Sequence, residues 1–273
     1  MSSDYPEIVD ETLKYKTISL KKNYKNKLIH IGKSGGSFIK NIFPGINVIH
    51  MRKPKLINNN KLNYIIILKN PIKRFVSAFY HSKYLIDFDT KGYDYNTLVN
   101  DKSTPYYMLK NKVRDKLKFG NPFKSWNKSK YYKYLISYFD SVNALAENLT
   151  SDDKIIRKKA QDLCNSRIEH IFKGIGYYLH NGDFIDKNKE NIIYCEDINQ
   201  INKKNLSIII GMNAQECTFN RKNIKNYDKY LSPKAIQNII NFYKDTDYKA
   251  LQKLVDYNFN TKELFEEYHQ YNI

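Results

Sequence analysis

Cysteine is scarce and unpaired: Cys164, Cys195 and Cys217 stand far apart and are odd in number. That speaks against a disulfide framework, and no spacing suits a zinc site. No apolar run approaches the roughly 18 residues of a membrane-spanning helix. Met1 to Lys22 holds Ser, Asp, Glu and Lys where a secretory leader would have an apolar core. The expectation is a soluble, cytoplasmic protein with no membrane span. The Asn-x-Ser/Thr sequons at Asn127, Asn148 and Asn205 therefore carry little weight. Zinc-finger spacing and an RNA-binding aromatic strand motif are also lacking, which disfavours a nucleic-acid partner.

What is present is a chain of 273 residues, 41% of them hydrophobic, enough for one large α/β domain with a sizeable core. The net charge is +18. An anionic partner such as a nucleotide, an acidic glycan or a nucleic acid accounts for such a charge. So does A/T-rich codon usage, since Lys, Asn, Ile and Tyr are all abundant. The positions of individual cations therefore say more than their sum.

Along the chain, residues 1–26 are polar and read as an N-terminal arm. Lys27–Gly32 (KLIHIG) reads as a buried strand, followed by the small-residue turn KSGGS. Phe38, Ile39, Ile42 and Phe43 fall at helical spacing, and Pro44-Gly45 ends that helix. Ile46–Ile49 is a second short strand and His50–Leu62 a basic loop. Tyr64–Leu68 (YIIIL) is the clearest strand, and Asn70-Pro71 starts a helix as N-cap and first residue. Ile72, Phe75, Val76 and Phe79 give that helix one apolar face. Two strand-to-helix units predict an α/β fold: one domain, 27–273, with a central parallel sheet flanked by helices. The middle, 86–190, reads as mostly helical and irregular, with a loop at Gly120-Asn121-Pro122. Asn191–Cys195 is a further strand, and Ser207–Ile210 is apolar but short. Ser232 caps a helix from Pro233, and another follows through Leu251, Leu254 and Val255.

The strand–KSGGS–helix unit carries the strongest chemical signal. Gly35 and Gly36 admit a close approach of backbone to an anion, Ser34 and Ser37 add hydroxyls, and Lys33 adds a charge. Gly32-Lys33-Ser34 also matches the end of a Walker A loop. That motif needs a glycine where Lys27 stands, and its glycines precede the lysine, whereas here they follow. A second basic element, Leu68–Tyr80 (LKNPIKRFVSAFY), places Lys69 at a strand end and Ser77 two turns into the next helix. Lys73 and Arg74 beside them read more simply as a solvated helix face.

These two segments resemble the two cofactor motifs of sulfotransferases that use 3′-phosphoadenosine-5′-phosphosulfate (PAPS). His30–Ser37 is similar to the 5′-phosphosulfate loop written HIPKTGGTS or YPKSGTTW. Leu68–Ser77 resembles the 3′-phosphate motif, a strand ending Arg-Asn/Asp-Pro with a Ser eight positions after the Arg, as Ser77 follows Lys69. Tyr194-Cys195-Glu196-Asp197 and Phe219-Asn220-Arg221-Lys222-Asn223 resemble two later family segments in the same order. The resemblance covers about 27–85 and 190–250 and implies a P-loop-like sulfotransferase fold. It implies that Lys33 contacts the bridging oxygen and that Ser34, Gly35, Gly36 and Ser37 bind the 5′-phosphate. Phe38 would stack on adenine. Lys69 and Ser77 would bind the 3′-phosphate, with help from Arg221 and Lys222. Four departures stand out: Lys69 for Arg, Gly32 for Pro, Cys195 where the cytosolic class has Tyr, and Asn223 for Gly.

The resemblance implies in-line sulfuryl transfer from PAPS to an acceptor hydroxyl or amine, leaving 3′,5′-adenosine bisphosphate. That scheme needs no metal. His50, between the two motifs, is the first candidate for the base that takes the acceptor's proton, and His81 the second. His170 and His180 lie in the unplaced middle, and Glu196 ranks low. The Tyr- and Lys-rich middle would suit a glycan acceptor, and codon usage explains it equally. The competing readings are an ATP-dependent kinase, with Asp197 as its metal-binding aspartate, and a basic nucleic-acid-binding protein. The oligomeric state is not legible.

Overall fold

A computed structural model describes residues 25–50, 54–56, 61–90, 131–166, 170–216 and 227–271; for 50 and 85–90 it describes the backbone alone. Most of the N-terminal arm (1–24), the Gly120–Pro122 loop, Cys217 and Arg221-Lys222 lie outside the described residues.

Four strands form one parallel sheet: β1 (Lys25–His30), β2 (Asn47–His50), β3 (Leu62–Leu68) and β4 (Ile192–Asp197), in the order β2-β1-β3-β4. The expected α/β architecture is present. β1 begins two residues before the expected boundary, so Lys25 and Asn26 belong to the sheet and not to an arm. Asn26 is tied in by its amide, which donates to the carbonyls of Ile209 and Ile210 at 3.2 and 3.3 Å.

β3 is apolar from Tyr64 to Leu68, and β1 at Leu28 and Ile29, because both faces of the sheet are covered there. Alternate residues enter two cores. Ile29, Tyr64, Ile66 and Leu68 pack with Ile72, Phe75, Val76 and Phe79 of α2 (Pro71–Thr90). Leu28, Ile65 and Ile67 pack with Ile39, Ile42 and Phe43, on and just beyond α1 (Gly36–Ile42). The register of β4 shifts by one residue between its pairings with Tyr64 and Ile65, so Ile193 and Tyr194 join the same core.

The segment Ser207–Ile210 lies within a helix and not a strand. Asn202 caps it through its side-chain oxygen, and Gly211, at φ 70°, closes it. Among the described residues the α-helices after α2 are α3 (Val142–Glu147), α4 (Lys154–Cys164), α5 (Ile175–Leu179), α6 (Asp183–Asn188), α7 (Lys203–Ile210), α8 (Pro233–Tyr243), α9 (Lys249–Asp256) and α10 (Lys262–Glu267), with a helical stretch at 131–138. A π turn, Lys244–Tyr248, joins α8 to α9 and turns Asp247 and Tyr248 inward together. Among the described residues no helix is long and apolar enough to cross a membrane.

Asn70 performs the expected cap. Its side-chain oxygen accepts from the N–H groups of Ile72 and Lys73 at 2.8 and 3.2 Å. Its amide also donates to the carbonyls of Glu267 and Gln270 at 3.3 and 3.0 Å, which ties the start of α2 to the end of α10. Asn70→Ala should therefore cost about 2 kcal/mol in denaturant unfolding. Asn70→Asp should lose stability as well, because it turns a carboxylate oxygen toward two carbonyls. Wild-type stability for the aspartate variant would show that the tie contributes nothing.

Candidate functional site

The strand order creates a switch point. From β1 the chain passes to β2 on one side, and from β2 it returns to β3 on the other. In open parallel sheets the crevice at the carboxyl ends of such a strand pair is where ligands bind. The two basic motifs leave the sheet there: His30–Ser37 follows β1, and Lys69-Asn70-Pro71 follows β3.

The loop after β1 has the backbone of an anion cradle. Lys33 has φ 69° and Gly35 φ 79°, while Ser34 and Gly36 between and after them keep negative φ. Alternating φ signs of this kind can turn N–H groups into a concavity, a nest for an anion. The Ser34 N–H is spent on the Ile31 carbonyl at 3.2 Å, so the N–H groups from Gly35 onward are the ones left to an anion. Gly35 serves twice, since a Cβ there would meet the Ile198 side chain as well as the positive φ. Gly36 lies under the His30 ring, which a Cβ would overlap. The Ser34 hydroxyl is buried and has no hydrogen-bond partner among the described residues. A buried hydroxyl without a partner is costly, and an anion oxygen in the nest would satisfy it. Ser37 is exposed at the rim and Lys33 half-buried. Helix α1 has only seven residues, so the loop N–H groups and Lys33, not a macrodipole, are the source of the field.

On the β3 side, Lys69 is half-buried directly past the strand, and Ser77 is half-buried in α2. Arg74, Ser77 and His81 share one stripe of α2 at i, i+3 and i+7. Both outer members meet residue 170. Arg74 donates to the His170 carbonyl at 2.6 Å, and the His81 and His170 ring centroids are 5.6 Å apart. Residue 170 in turn reaches the first loop: a Cβ on Gly32 would overlap the imidazole of His170. The stripe carrying Ser77 is thus linked to the loop after β1 through His170.

Arg74 does not line a solvated face. It is fully buried and pairs with Asp247 at 3.4 Å. Its guanidinium also donates to the Ile171 carbonyl and lies 5.0 Å from the centre of the Tyr243 ring. Asp247 accepts from the Gly176 N–H at 2.8 Å, and a Cβ on Gly174 would overlap its carboxylate. This buried cluster fixes the backbone at 170–171 behind the site.

The remaining sequence-derived residues divide. Phe38 is half-buried beside the α1 core, with the Lys203 ammonium 5.8 Å from its ring centre. His50 is the last residue of β2 and not a residue of the following loop; its backbone pairs with His30. Arg221 and Lys222 lie outside the described residues. His180 has Nε2 2.7 Å from the Pro54 carbonyl. Tyr194 donates its hydroxyl to Glu196, whose carboxyl burial pushes up and this bond pulls down. Asp197 has both oxygens engaged: the Asn199 N–H at 2.8 Å and the Tyr268 hydroxyl at 2.6 Å. The thiols of Cys164 and Cys195 are buried, which pushes their pKa values up and leaves them unreactive. Among the described residues no cluster of three or more His, Cys, Asp or Glu side chains is placed to hold a metal.

His170 is the site residue that sequence reading did not place. A lone histidine in an irregular stretch has no local signal, and its contact with residue 32 spans much of the chain. The one trace was Gly32 itself, standing where the motif that this loop resembles has proline. The His170 ring occupies the space that a side chain at 32 would need.

The chain matches no protein-family model, no curated protein and no solved structure at a significant level.

Proposed function

We propose that this chain is a PAPS-dependent sulfotransferase. The observation that carries the reading is the placement of two basic motifs at the carboxyl ends of the neighbouring strands β1 and β3. A nucleotide with phosphates at both 5′ and 3′ positions needs two such cradles; ATP, with all its phosphates on one side of the ribose, needs one. The nest at 33–36 and the buried Ser34 hydroxyl suit the 5′-phosphosulfate. Lys69 and Ser77 suit the 3′-phosphate and Phe38 the adenine, and the resemblance adds Arg221 and Lys222 to the 3′-phosphate.

In this reaction the acceptor oxygen or nitrogen attacks sulfur in line. The S–O bond to the 5′-phosphate breaks, and 3′,5′-adenosine bisphosphate leaves with the electron pair. Negative charge grows on the bridging oxygen, where the Lys33 ammonium stabilises it. The acceptor's proton passes to His50, at the end of the strand beside β1. Positioning and electrostatics supply the catalysis, as in phosphoryl transfer. A hydroxylated glycan is the acceptor class proposed for the Tyr- and Lys-rich middle.

The engagement of Asp197 supports this reading over a kinase. A metal-binding aspartate at the end of a strand needs a free carboxylate oxygen, and both of its oxygens hold the fold.

Thermal unfolding with added nucleotide tests the proposal. 3′,5′-adenosine bisphosphate should raise the melting temperature, by linkage to native-state binding, while 5′-AMP should do little. Stabilisation by ATP alone, or by none of the three, would sink the reading. His50→Ala should lower turnover with the true acceptor and leave bisphosphate binding unchanged.

A further inference from the structure

The departure of Gly32 from the related motif and the position of His170 are one feature. The glycine leaves room above its Cα, and the His170 imidazole fills it. The ring's Nδ1 is buried with no hydrogen-bond partner among the described residues. The Ser34 hydroxyl, two residues along the same loop, is in the same condition. One of these atoms stands over Gly32 and the other belongs to Ser34, the residues on either side of Lys33, on the loop where φ changes sign from residue to residue.

Among the described residues, the charged groups that face His170 are cationic or neutral imidazole. Lys33 comes from the loop after β1, His81 and Arg74 from α2, and Lys173 from its own segment. Asp247 lies behind Arg74 and is paired to it. Such a ring stays neutral without an anion. An anion seated in the nest reverses the field and makes the protonated ring the better hydrogen-bond donor.

We infer that His170 is a further ligand of the donor's 5′-phosphate group, and that donor binding draws one proton onto its ring. The inference rests on the PAPS reading and adds a residue that the related motifs do not contain. Burial and the surrounding cations hold the free ring's pKa down to about 2, so the unliganded ring carries no proton at neutral pH. The sign follows: proton uptake accompanies binding wherever the pH lies above the free value and below the bound one. Affinity for the donor should weaken as pH rises through the bound value.

Arg74 is then a positioning residue. Its guanidinium holds the His170 carbonyl at 2.6 Å and so fixes where the ring lies.

Calorimetric titration of the full chain with 3′,5′-adenosine bisphosphate tests this, in buffers of different ionisation enthalpy between about pH 6 and 8. The wild-type chain should take up close to one more proton than His170→Ala, and the variant should bind roughly tenfold more weakly or worse. Comparing the two proteins cancels the ligand's own titration. A histidine that merely packs against the loop would leave proton uptake unchanged, and that result overturns the inference while the PAPS reading stands. No binding by the wild-type chain overturns the PAPS reading, and the inference with it. Should His170→Ala not fold, Gly32→Ala serves instead, because its methyl group displaces the ring. It should lose the same affinity and the same proton, and wild-type values for both would overturn the inference.

Discussion

Lys33→Ala should lower the rate of the proposed sulfuryl transfer on the order of 10²–10³-fold, the usual effect of removing one group aimed at a developing negative charge. Binding of the bisphosphate product should suffer less, because the nest and Ser34 remain. The backbone makes a sharper version available. Lys33 is held at φ 69°, a left-handed conformation that costs a non-glycine residue about 1 kcal/mol or more. Lys33→Gly removes that strain together with the ammonium. Its activity should fall as far as that of the alanine variant, while its unfolding temperature stays level or rises. Strain retained at one lysine whose loss impairs transfer but not folding is what a catalytic role requires. Retention of transfer within about threefold in either variant would remove Lys33 from the mechanism.

The second large effect concerns stability. Arg74→Met should destabilise the fold by about 3–5 kcal/mol, the cost of leaving a buried carboxylate without its partner. The guanidinium spans Asp247 and two carbonyls, so the loss includes hydrogen bonds that methionine cannot replace. Burial already pushes the Asp247 carboxyl up, against the pull of Arg74 and the N–H groups of Gly176 and Ile175. Without the arginine it rises further. A carboxyl whose folded pKa lies above its unfolded value favours the fold at low pH and loses that favour as pH climbs. The variant should therefore be closest to wild type near pH 4, the ordinary aspartate range, and fall away above it. Urea unfolding at several pH values checks this. A pH-independent difference would mean that Asp247 is not left charged. The double variant Arg74→Met with Asp247→Leu should recover part of the loss, since an apolar pair leaves no buried charge.

The strands β1 and β3 were legible in KLIHIG and YIIIL because a central parallel strand is covered on both faces, and its sequence shows it. The cap at Asn70-Pro71 and the one at Ser232 were legible because capping is local chemistry. Ser207–Ile210 shows the limit. Three isoleucines in a row suit strand and helix alike, and Asn202 and Gly211 decide in favour of helix. Arg74 was misread as half of a solvated Lys-Arg pair. One step along a helix turns a side chain by about 100°, so Lys73 is half-exposed while Arg74 is buried. Its partner Asp247 comes from a π turn far along the chain, which no local pattern announces. The candidate site was legible in its loop and strand-end residues, which are contiguous in sequence. It was not legible in His170, which only the tertiary fold brings to the loop.

The tie from Asn70 to the carbonyls of Glu267 and Gln270 spans 197 and 200 residues. Elongation proceeds at roughly 5–20 residues per second, so Asn70 is synthesised about 10–40 s before its partners. The helix that carries Ser77 and His81 must begin without that anchor, and β3 must wait on one edge for β4. During that interval the nascent chain presents an unpaired apolar strand edge, the surface that chaperones bind and that aggregation exploits. Helix α10 therefore acts as a latch on biogenesis: the crevice between β1 and β3 reaches its final geometry only when synthesis has passed residue 270.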